Sequence, residues 1–221
     1  MSDGTKLVET WSKFKDRGWM TGDAGALALL CVISENSKKI YVTPDKPRKQ
    51  FLTLNDLFTL RDLYGSQEIQ NPLNEVEDGL VLSRWAPTLL EVIAKFPKTT
   101  CVAQVCTTWS TLASRLALHA WKKKSEAFPN VLRISHWGLL NDIGVKQELL
   151  LPIINYTDAN IMLEAVKEAL TFYPQTCAIL IRDYGMVTWG QNLLDLERSI
   201  EVIEKLCELQ VREFNLFNRP D

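Results

Sequence analysis

The sequence predicts one α/β domain spanning residues 1–221, with a mainly antiparallel central sheet flanked by helices. Three observations carry that expectation. Short apolar runs, among them Ala26 to Ile33 and Cys177 to Ile181, alternate with longer stretches of helical spacing. Turn-forming clusters punctuate them at Thr21-Gly22-Asp23-Ala24-Gly25, Glu35-Asn36-Ser37 and Tyr184-Gly185. No internal repeat, low-complexity segment or linker divides the 221 residues.

Lys6 to Trp19 places Leu7, Val8, Trp11 and Phe14 at helical spacing and stops at Gly18. Ala26 to Ile33 and Lys39 to Thr43 are the arms of a hairpin. Pro44 and Pro47 fix an irregular loop, and Thr53 is placed to cap a short helix from Leu54 to Phe58. Arg61 to Asp78 is polar and reads as an irregular exposed excursion, with Glu75, Glu77 and Asp78 a solvated acidic patch. Trp85 to Phe96 is a helix with Pro87 near its start, Thr99 to Cys106 a strand, and Ser110 to Lys122 a helix. Val131 to Ser135 and Leu149 to Ile154 are short buried strands. Asp158 to Phe172 is an amphipathic helix that ends before Pro174. Cys177 to Arg182 is a buried strand, Tyr184-Gly185 a tight turn that aims Tyr184 into a cleft, and the run to Gly190 a second strand. A long helix starts at Asn192 and turns Leu193, Leu196, Ile200, Ile203, Leu206 and Val211 inward.

Apolar residues make up 46% of the chain and charged residues 24%, a balance that supports a sizeable core. A net charge of −2 gives no bulk attraction to nucleic acid or to an anionic membrane. Lys122-Lys123-Lys124 is a solvated helix end on this reading. Met1 to Gly4 lacks the apolar run of a signal peptide and no stretch is long enough for a membrane span, so the expected location is the cytoplasm. Cys31, Cys101, Cys106, Cys177 and Cys207 are scattered among apolar neighbours, as reduced core thiols are. Seven tryptophans point to a lined cleft or an interface. The chain has only two histidines, His119 and His136, which limits metal binding. A substitute set of Cys106, His136 and Asp183 has no recognised ligand spacing.

Several motifs recur in one order. They are Gly18-Trp19-Met20-Thr21-Gly22, then Ile40-Tyr41-Val42-Thr43-Pro44 in register with Asn55-Asp56-Leu57-Phe58. Leu151-Pro152-Ile153-Ile154 and Tyr173-Pro174 follow, then Cys177 to Arg182 and Trp189-Gly190. Together they resemble the class II aldolase/adducin family, and within it the methylthioribulose-1-phosphate dehydratases of methionine salvage. The resemblance covers nearly the whole chain and implies the class II aldolase-like fold. It further implies a divalent metal, usually zinc, held by an H-x-H pair and a later histidine. A glutamate for proton transfer and glycine-rich turns for substrate phosphate belong to the same pattern.

At those positions this chain departs from the family. Thr107 and Trp109 stand at the H-x-H pair, Tyr184 at the later histidine, and Gly138 of His136-Trp137-Gly138 at the glutamate. Neutral hydroxyls are poor zinc donors, tryptophan is none, and glycine cannot shuttle a proton. The phosphate turns become Gly22-Asp23-Ala24-Gly25-Ala26 and Asp45-Lys46, where Asp23 and Asp45 repel phosphate and Lys46 partly offsets them. The expectation is a chain without zinc or another cofactor, in which Thr107, Trp109, His136, Trp137 and Tyr184 line a vestigial cleft and Tyr184 packs against Trp109. Gly22, Asp23, Gly25, Asp45 and Lys46 mark the former phosphate loops. The function expected from these losses is that of an inactive pseudoenzyme, a structural or protein-interaction subunit in a homo-oligomer or beside an active paralogue. Adducins suggest such a role for the fold. The alternatives are a divergent dehydratase of the kind named above, or a small-molecule sensor that uses the cleft.

Overall fold

The computed structural model describes residues 2–21, 24–34, 37–45, 52–63, 66–70, 80–120, 130–135, 137–157 and 159–217. The first helix, α1 (Asp3–Asp16), begins earlier than its apolar spacing predicts, because Ser2 caps it by accepting from Thr5 N at 3.2 Å. Its buried stripe is Leu7, Trp11 and Phe14. The predicted hairpin forms from β1 (Ala26–Ser34) and β2 (Ser37–Val42), followed by the short β3 (Pro44–Asp45). Leu54–Asp56 is a single 3-10 turn, so the helix expected from Leu54 to Phe58 is cut short. Phe58 instead opens β4 (Phe58–Leu63), where it pairs with Val42.

The excursion expected from Arg61 to Asp78 is a second correction. β4 and β5 (Ser66–Gln70) form an antiparallel pair, with Leu60 opposite Ile69. Pairing with β2 recruits polar residues that local propensity leaves irregular. Glu75, Glu77 and Asp78 lie outside the described residues, as do Lys122, Lys123 and Lys124. After β6 (Val81–Leu82) come α2 (Ala86–Lys95), β7 (Cys101–Val105) and α3 (Thr108–Ala120). β8 (Val131–Ser135), a 3-10 segment at Gly138–Ile143, β9 (Glu148–Ile154) and α4 (Ala159–Phe172) follow. The chain closes with β10 (Ala178–Ile181), β11 (Gly185–Gly190) and α5 (Leu193–Phe217).

Among the described residues, nine strands form one sheet in the order β5-β4-β2-β1-β7-β11-β10-β9-β8. The sheet is mixed, because β9 and β10 are parallel, with Ile154 beside Ile181. The reason is the crossover through α4, which carries the chain back before β10 starts. Alternation divides the core between two faces. Leu27 and Leu29 join α1, α3 and α5 on one face, while Ala26 and Ala28 join α2 and α4 on the other.

Burial also sets the chemistry of the thiols. Cys31, Cys101 and Cys177 are each pushed up to about 12 from an ordinary 9.0, burial being the largest cause. The fold thus favours the neutral thiol. Its stabilising contribution is fully present below pH 9.0 and is lost as pH rises from there toward about 12. Denaturant titrations are expected to show stability falling across that window and less steeply in Cys101→Ala; identical profiles for the two proteins would contradict this.

Candidate active site

One end of the sheet gathers the residues that matter. β7 ends there at Val105 and leads through Thr107 into α3, β11 starts there at Gly185, and β9 and β10 end there at Ile154 and Ile181. Between β10 and β11 the chain turns tightly, with Tyr184 N donating to Ile181 O at 3.0 Å. Asp183 holds φ of 65 and Gly185 φ of 93, both in the left-handed region. Arg115 on α3 pairs with Asp183 at 2.5 Å and fastens the turn to the helix. Gln104, fully buried, accepts from Gly25 N at 2.8 Å and donates to Tyr184 O at 2.9 Å. One amide therefore joins the approach to β1 with the turn that carries Tyr184.

Thr107 and Trp109 stand on the face of α3 and α5. The Glu204 carboxylate of α5 caps the first turn of α3, accepting from Trp109 N and Ser110 N at 2.9 Å each. It also accepts from Thr107 Oγ1, which lies 2.5 Å from Ser110 Oγ. Trp109 is half-buried against the core, and the Arg212 guanidinium sits over its ring at 5.4 Å.

Tyr184 faces a different group. Its ring stacks on Tyr156 at 4.1 Å and lies 6.3 Å from Trp85. Both partners belong to the core on the side of α2 and α4. Tyr184 is 37% exposed, and no hydrogen bond among the described residues engages its hydroxyl. The expected packing of Tyr184 on Trp109 is thereby corrected: the two rings belong to opposite sides of the sheet. Beside the stack, Arg84 Nε donates to Asp45 Oδ2 at 2.9 Å and Arg84 Nη1 lies 3.4 Å from Tyr156 Oη. The Tyr156 hydroxyl first, and Asp45 second, raise the Arg84 pKa, so the guanidinium is a permanent cation here. Asp45 was expected to repel phosphate; its charge is instead offset by Arg84.

Comparison with known proteins follows from this geometry. Residues 5–211 match the family described as Class II Aldolase and Adducin N-terminal domain. The chain belongs to that family. It is 25% identical to methylthioribulose-1-phosphate dehydratase of Meyerozyma guilliermondii, over 93% of this chain and 84% of the relative. The enzyme of the same name from Debaryomyces hansenii is 25% identical over 93% of this chain and 83% of the relative. Among solved structures, an L-fuculose 1-phosphate aldolase superposes with a TM-score of 0.70 at 16% identity, covering 100% of this chain and 91% of that one. The l-fuculose-1-phosphate aldolase of Thermus thermophilus gives 0.62 at 13% identity, covering 98% and 97%. These structures share the class II aldolase fold.

The zinc that the family implies does not fit the donors present. Thr107 Oγ1 is engaged by Glu204 and Ser110, Trp109 offers no lone pair, and Tyr184 is stacked on Tyr156. Among the described residues, no three His, Cys, Asp or Glu side chains come together as a metal-binding group. Asp183 is paired with Arg115, and His136 lies outside the described residues together with Gly22, Asp23 and Lys46. Trp137 and Gly138 leave the sheet at its other end, because β8 places Ser135 opposite Glu148 rather than near Ile154. Trp137 packs partly on the core, and a Cβ at the exposed Gly138 would meet nothing within 4 Å.

The reading of the chain as an inactive scaffold is overturned by its relatives. Proteins that match 93% of the chain carry the name of a dehydratase. That reading rested on the combined loss of metal donors, of the proton-transfer glutamate and of the phosphate turns at the family's positions. It overlooked a fixed cation, Arg84, and a second phenol, Tyr156, beside Tyr184 at one end of the sheet. Arg84 gave no sequence signal, since it precedes a helix on an unremarkable loop. Glu204 was hidden on a helix whose apolar spacing drew notice to Ile203 and Leu206. No helix among the described residues is long and apolar enough to cross a membrane.

Proposed function

We propose that the chain is an enzyme of the dehydratase kind, removing water from a small phosphorylated ketose of the methylthioribulose 1-phosphate type. The match of curated dehydratases over 93% of the chain is the observation that carries this reading. The geometry around Tyr184 is compatible with it. In such a reaction a proton leaves the carbon beside the carbonyl, and hydroxide leaves the next carbon as it takes up a proton. Tyr184, with a partly exposed and unengaged hydroxyl, is the proposed donor of that second proton. Arg84, whose Nε is held by Asp45, is proposed to hydrogen-bond the substrate phosphate through the rest of its guanidinium. In this reading the three family ligand positions hold no resident zinc.

The test is incubation of the purified chain with methylthioribulose 1-phosphate and mass spectrometry for a product lacking one water. Tyr184→Phe is expected to lower kcat on the order of 100-fold while leaving KM nearly unchanged. Wild-type protein that yields no such product, with or without added divalent metal, overturns the proposal. Turnover that survives Tyr184→Phe overturns the role given to that hydroxyl.

A further inference from the structure

Arg182 lies where the parallel pair of β9 and β10 ends, its backbone N donating to Ile154 O at 2.8 Å. Its Nε and Nη2 are buried, and neither finds a hydrogen-bond partner among the described residues. These two nitrogens carry the parallel N–H bonds along one edge of the guanidinium. That edge matches two oxygens of a carboxylate or a phosphate. The residue as a whole is half-buried, yet these two N–H groups of a cation are left buried without an acceptor, which is disfavoured.

The adjacent carboxylate is committed elsewhere. Asp183, the adjacent residue, pairs with Arg115 at 2.5 Å, and its backbone N lies 3.4 Å from Ser114 Oγ of α3. The carboxyl ends of parallel strands are also the usual place for ligands on α/β sheets. We infer that Arg182 binds an oxyanion, the phosphate or carboxylate of a small ligand that enters at the carboxyl ends of β9 and β10. This goes beyond the dehydratase reading and is independent of it, because it concerns binding and not turnover.

Thermal unfolding tests it, in chloride buffer titrated with inorganic phosphate and, separately, with acetate. The wild-type midpoint is expected to rise by a few degrees with at least one of them, and the anion that raises it identifies the source of the oxygens. Arg182→Met should abolish the rise, and its midpoint in chloride alone should equal or exceed the wild-type value, since two buried unpartnered N–H groups have been removed. Arg182→Lys keeps a cation without the paired N–H edge and should lose most of the rise. No response of the wild type to either anion overturns the inference, as does a response that persists in Arg182→Met. A Met variant that melts earlier in chloride alone assigns Arg182 a structural role instead. Should that variant fail to fold, a Lys variant that responds as the wild type does overturns the paired grip.

Discussion

Replacing Gly185 with alanine is expected to destabilise the fold on the order of 3 kcal/mol, enough to remove a large part of a domain's stability. An added Cβ would lie 2.1 Å from the Val105 carbonyl oxygen and 2.7 Å from Cys106 Cα. Both atoms belong to the backbone where β7 leaves the sheet, so neither can swing aside as a side-chain tip could. The φ of 93 adds a conformational penalty of about 1 kcal/mol for any residue with a Cβ. Relief would require β11 to move away from β7, although the two are paired from Met186–Val105 to Gly190–Cys101. Chemical denaturation reads the effect directly. A variant within about 1 kcal/mol of the wild type would show that the turn relaxes freely and that the close approach is not needed. Because Gly185 follows Tyr184, the role proposed for that hydroxyl further expects surviving Gly185→Ala protein to lose part of any turnover the wild type shows.

Glu204→Ala is expected to cost about 3 kcal/mol, since hydrogen bonds to a charged group contribute about 1.5–3 kcal/mol each and are not additive. The variant removes the acceptor for Trp109 N and Ser110 N and leaves Thr107, which is 3% exposed, without its carboxylate partner. It also removes negative charge from the positive end of α3. Glu204→Gln retains one oxygen and should lose roughly half as much. Amide hydrogen exchange locates the effect: protection should fall at Trp109 and Ser110 while the interior of β7 stays protected. Unchanged exchange at those two amides would remove Glu204 from its capping role.

Strong periodic signals carried over into the structure with small shifts. β8 spans Val131–Ser135 as its apolar pattern predicts, and α5 opens at Leu193, one residue after the expected Asn192. The family resemblance rests on such segments. What failed depended on partners. β4 and β5 exist through pairing with β2 and with each other, a tertiary effect that overrides local propensity. The parallel pairing of β9 and β10 depends on where α4 returns the chain, which strand patterns do not encode. In the site, the turn around Tyr184 was legible because Tyr184-Gly185 is a local signal. Arg84, Gln104 and Glu204 were not, since each acts through a partner at least 39 residues away in sequence. Function was misread because substituted metal donors are visible one by one, while a cation and two phenols converge only in three dimensions.

The amide of Gln104 has a consequence for when the site comes into being. It binds Gly25 and Tyr184 across sequence separations of 79 and 80 residues. Contacts so distant along the chain form only after long loops have closed, at a cost in chain entropy that local structure never meets. The Tyr184 turn thus takes its final aim late in folding, after β1, β7 and β11 have met. On a ribosome, a nascent chain released only as far as β10 would already hold β1, one of the two neighbours of Gln104's own strand, but not β11, and would still have no site.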